Sequence, residues 1–117
     1  MRIPGTALLA LALALATAAQ AQTPQGPMTA EGLDRGLSNL GLMAGHAVQC
    51  LPEGEQPRAQ RAVLLFNGML VAELGSNAAF RFASAFGAGS SHAVDRSFCE
   101  RSLADWRKLV QDHGLDR

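Results

Sequence analysis

An all-α fold, a compact bundle of about four helices stapled by one disulfide, is predicted by three observations. Apolar residues recur at helical spacing in successive stretches between Thr29 and His113, and clusters of proline, glycine and serine separate those stretches. The only two cysteines, Cys50 and Cys99, stand in different stretches. With 117 residues the chain has room for one small domain.

The N-terminus reads as an export signal. Arg2 is a positively charged start, Ala7 to Ala16 is an unbroken Ala/Leu run, and Ala19-Gln20-Ala21 is a small-x-small cleavage pattern before Gln22. Residues 1–21 are therefore expected to be a cleaved signal peptide, and the protein is expected in the periplasm or secreted. An apolar run this short is a poor membrane span, which takes about 20 apolar residues. No cysteine follows the site to accept a lipid, and no paired arginine is present. The general secretion route and a mature chain with no transmembrane segment are the expectation. Residues 22–28, with Pro24, Gly26 and Pro27, read as a flexible leader; 29–114 is the helical domain and 115–117 a tail.

The first helix starts at Thr29, a suitable N-cap, with Glu31 and Asp34 placing negative charge near the positive helix end. Leu33, Leu37, Leu40, Ala44, Ala47 and Leu51 form its stripe, which runs to about Gln49 or Leu51. Gly32, Gly36, Gly41 and Gly45 each cost about 0.8–1 kcal/mol relative to alanine in a helix interior. Their Gly-x-x-x-Gly spacing allows close helix approach. In a water-soluble chain, however, a glycine-tolerant helix held by tertiary packing is the simpler reading.

Pro52-Glu53-Gly54-Glu55-Gln56-Pro57 is a turn, and Pro57 suits the first position of a second helix from Arg58 to Leu74. The centre of that helix is apolar nearly all round. Asn67-Gly68 within it is a favoured hairpin dipeptide, so two short buried strands are the alternative. The helix is preferred because Gly75 supplies a C′ residue and Ser76 or Asn77 the next cap. Helix three carries Ala79, Phe82, Ala83 and Phe86 on one face and is expected to end at Gly87, with 88–91 as a loop. Helix four runs from His92 or Asp95 to His113, with Phe98, Cys99, Leu103, Trp106 and Val110 as its stripe and Gly114 at C′.

Ten basic side chains balance ten acidic ones, without clustering. That distribution has no field to gather phosphates, so nucleic acid is not an expected partner. In an oxidising compartment Cys50 and Cys99 are expected to form a structural bridge, closing a loop for which the entropy model gives about 4 kcal/mol. The alternative is a redox pair or reactive thiol. Against it stand the absence of Cys-x-x-Cys and of a cysteine at an evident helix N-terminus.

Chemistry-bearing patterns are few. Met43, His46 and Cys50 follow one helix face and offer copper-type ligands, but a bridged Cys50 leaves only Met43 and His46 unless Met69 or His92 joins them. Haem held between histidine and methionine is a further option, without Cys-x-x-Cys-His for attachment. No metal and no cofactor is assigned on these grounds. Ser90-Ser91-His92 with Asp95 lists the members of a triad within a few residues, whereas triads assemble from separated segments, and Ser-Ser here reads as capping. Glu53 and Glu55 read as a solvated pair. Trp106 shares the register of a core stripe. Phe80, Phe82 and Phe86 are the candidate protein-contact residues, since Phe80 and Phe82 lie about 200° apart on a helical wheel and cannot both face one core wall.

A helix ending in Cys50, a polar turn, an apolar second helix with Phe66-Asn67 and a last helix with Cys99 and Trp106 resemble the small disulfide-linked helical proteins of the bacterial periplasm. They also resemble, more distantly, the periplasmic acid-stress chaperones. The second resemblance implies dimers that dissociate in acid to expose apolar surface. The chain has fewer lysines than those chaperones and a run of helix glycines, and no site residue is carried over. The expected function is a non-enzymatic accessory or chaperone-like protein acting through protein contacts or self-association. A copper or haem binder using His46 and Met43 is the alternative.

Overall fold

The computed structural model describes residues 29–116; the expected signal peptide and leader lie outside the described residues, as does Arg117. Four α-helices follow one another: α1 Ala30–Cys50, α2 Gln56–Leu74, α3 Ser76–Ser91 and α4 Cys99–His113. Short 3-10 turns at Glu53–Glu55 and Arg96–Phe98 lead into α2 and α4, and no strand occurs among the described residues. None of these helices is long and apolar enough to cross a membrane. The all-α bundle and the Cys50–Cys99 bridge are thus present as expected.

Each helix end has a local cause. Thr29 Oγ1 accepts the Gly32 N–H at 2.9 Å, the N-cap bond expected at the start of α1. Pro57 sits in the first turn of α2, where its missing N–H costs nothing. Asn67-Gly68 is mid-helix, so the hairpin alternative is not adopted. At the C-terminus of α4, Gly114 takes φ +60° and Leu115 N–H donates to the Val110 carbonyl at 2.9 Å, a Schellman closure that buries Leu115.

Three expectations need correction. Gly75, with φ +97°, serves as the joint between α2 and α3, and α3 starts at Ser76 with no side-chain cap. Helix α3 does not stop at Gly87 but continues to Ser91. Gln49 Nε2 donates to the Gly89 carbonyl at 3.0 Å, so one of the orphan carbonyls in the last turn of α3 has a partner, and the Ser91 hydroxyl adds a bond to the Gly87 carbonyl at 2.6 Å. Finally, α4 starts at Cys99, because Asp95 caps a preceding 3-10 turn by accepting the Ser97 N–H at 3.0 Å.

Packing fixes the helix directions. Gly41 meets Phe82 and Ala85, and Gly45 meets Phe86, Gly89 and Ser90, so α1 and α3 run parallel. Cys50 pairs with Cys99, and His46 with Ser102, so α4 returns antiparallel to α1. The α1–α3 contact depends on missing side chains: a Cβ on Gly45 would lie 2.5 Å from the Phe86 carbonyl oxygen, and one on Gly89 2.6 Å from that of Leu42. The second Gly-x-x-x-Gly pair is therefore a backbone-approach motif rather than a tolerated defect. Gly36, in the first pair, faces open space. Phe82, fully buried, is the centre of the core, with the Phe66 ring edge-on at 5.0 Å and Trp106, Leu37, Val48, Val63 and Leu109 in the same cluster.

Candidate functional site

The side chains with chemical capacity gather at one corner, where the end of α1 meets the start of α4. His46 and Cys50 are one turn apart on α1, and Cys99 opens α4. The bridge Cys50–Cys99 has a Cα separation of 5.6 Å, and His46 Nδ1 lies 3.7 Å from Cys50 Sγ. His46 Nδ1 also lies 2.7 Å from Ser102 Oγ, and the Asp95 backbone N–H donates to His46 Nε2 at 3.2 Å. A backbone N–H can only donate, so Nε2 must present its lone pair. Neutral His46 is then the Nδ1–H tautomer, donating to Ser102 Oγ.

Asp95 completes the corner. Its carboxylate accepts from the Ser97 hydroxyl at 2.6 Å and from the Ser97 N–H. The Ser97 hydroxyl bond first, then the Ser97 backbone bond, with a smaller contribution from nearby His46, hold its carboxyl below the usual aspartate value. Leu42, Met43, His46, Asp95, Phe98 and Ser102 line a shallow groove here.

The expected Met43, His46 and Cys50 alignment is thus realised in part. His46 meets Cys50, while Met43 lines the groove and packs against the core. Met69 packs half-buried against the core, and exposed His92 terminates α3. The hydroxyls of Ser90 and Ser91 both donate to the Gly87 carbonyl, a helix-end role rather than a nucleophile's. One ground against a reactive cysteine does not hold, since Cys99 stands at the start of α4, where the helix dipole favours a thiolate. Asp95 and Ser102 were missed as partners of His46. Separations of 49 and 56 residues left no local signal for either.

A second region is apolar. Gln60, Val63, Leu64, Asn67, Phe82, Ala83 and Phe86 line a groove between α2 and α3. Leu64 in this groove is 71% exposed, Phe80 elsewhere on α3 is 73% exposed, and Asn67 Oδ1 is buried without a hydrogen-bond partner. Of the three phenylalanines expected at a contact surface, Phe80 is available and Phe86 half-buried. Phe82 is excluded, being fully buried inside its own chain. Trp106 is a core residue at 5% exposure, whereas Phe98, expected in the stripe of helix four, is 54% exposed because the 3-10 turn rotates it outward. Compared with protein families, curated proteins and solved structures, the chain finds no match.

Proposed function

We propose that this chain is a non-enzymatic helical contact protein of the periplasm or extracellular space, an accessory or chaperone-like factor that self-associates through the α2–α3 face. The observation that carries the reading is the apolar groove lined by Val63, Leu64, Phe82, Ala83 and Phe86, where Leu64 stands 71% exposed, with Phe80 a further exposed ring on α3. The N-terminal signal pattern and the disulfide support the extracytoplasmic setting.

A second copy is the occupant this surface suits. Leu64 stands between Gln60 and Asn67 in the groove lining on α2. An antiparallel approach of two α2 helices about a two-fold axis near Leu64 sets the two exposed Leu64 side chains against each other. Such a contact is isologous and self-complementary, as closed dimers require.

Sedimentation equilibrium on residues 22–117 tests this. The expected result is reversible dimerisation, abolished by Leu64→Glu with helix content unchanged. A monomer at every concentration would overturn the reading.

A further inference from the structure

We propose that the α1–α4 corner is a redox-gated site for a thiophilic cation of the Zn²⁺ or Cu⁺ class, closed while the bridge is intact and opened by its reduction. The donor atoms of His46, Cys50 and Cys99 all lie within 4.8 Å of one another. Tetrahedral coordination by two thiolates and an imidazole needs donors about 3.5–3.8 Å apart. His46 Nδ1 and Cys50 Sγ already stand at 3.7 Å, so the main movement is the parting of the two sulfurs.

The two electrons come from a dithiol reductant, which is itself oxidised to a disulfide. The S–S bond of Cys50–Cys99 breaks and each sulfur takes a proton. Cation binding then releases both protons as the thiols become thiolates. The start of α4 favours the thiolate of Cys99, and the neighbouring His46 ring that of Cys50.

His46 must change tautomer to ligate through Nδ1. Its proton moves to Nε2, which gives up the Asp95 N–H bond and becomes a donor, and Nδ1 gives up its bond to Ser102 Oγ. Two of the three ligands are fixed one turn apart on a single helix and the third begins the next, so most of the site is organised before a cation arrives. The proposal is independent of the contact reading, which concerns the groove between α2 and α3.

The test is anaerobic Co²⁺ titration of residues 22–117, oxidised and phosphine-reduced, reading thiolate-to-cobalt charge-transfer absorption and its loss on adding Zn²⁺. Far-UV circular dichroism follows the same samples. Reduced protein is expected to bind one equivalent, oxidised protein none, with His46→Ala weakening binding at least about tenfold and Ser102→Ala retaining it. If reduction lowers helix content, its recovery on adding Co²⁺ also supports the site. No stoichiometric binding by reduced protein, folded or unfolded, overturns the proposal, as does equal binding by His46→Ala.

Discussion

Gly89 of α3 lies directly against the backbone of Leu42 in α1, so closely that a Cβ at position 89 would stand 3.0 Å from the Leu42 Cα. Neither neighbour is a flexible side chain that could swing aside. Gly89→Ala and Gly45→Ala must therefore push the helices apart, at a cost of about 1–3 kcal/mol each. Gly36→Ala, which meets nothing, is expected to stabilise by up to about 1 kcal/mol through helix propensity. Urea unfolding of the three variants measures the contrast.

Phe80 and Phe82 separate two roles two residues apart. Phe82→Ala removes a fully buried ring and its edge contact to Phe66, and is expected to cost about 3–5 kcal/mol. Phe80→Ser, at an exposed position, should leave monomer stability within about 0.5 kcal/mol. Denaturant midpoints at a concentration too low for association decide between them.

Asp95 should make stability fall in acid. Its carboxyl is held below the ordinary value by Ser97, so its contribution is complete above the unfolded aspartate pKa of about 3.9 and is lost as pH falls through the lower native value. Asp95→Asn should flatten that acid limb. Thermal unfolding of both proteins between neutral and strongly acid pH provides the comparison.

Reducing the bridge, without added metal, is expected to remove about 4 kcal/mol for a loop of 49 residues. Cys50→Ser/Cys99→Ser should match the reduced protein in a melting curve. A double variant as stable as the bridged chain would contradict the loop argument.

The bundle was legible because its signals are local. The Thr29 cap, the Gly114 stop and the stripes through Leu37 and Trp106 each occupy a turn or two of one helix. Asn67-Gly68 misdirects in isolation, since the dipeptide suits a hairpin; as part of an apolar stretch between two helices it stays helical, with Gly68 facing open space. Gly89 read as a loop residue because its purpose, admitting the Leu42 backbone, is visible only once α1 and α3 are side by side. The site was legible in the same measure. His46 and Cys50 share a helix and were found together, whereas Asp95 and Ser102 reach His46 only through the folding of α4.

Self-association through the α2–α3 face is tested most directly by cross-linking Leu64→Cys protein of residues 22–117 under mild oxidation, with Asp105→Cys on α4 as the control. The two-fold arrangement places the two copies of position 64 beside the axis, so Leu64→Cys is expected to form a covalent dimer far faster than Asp105→Cys. Equal and slow cross-linking at both positions would contradict it.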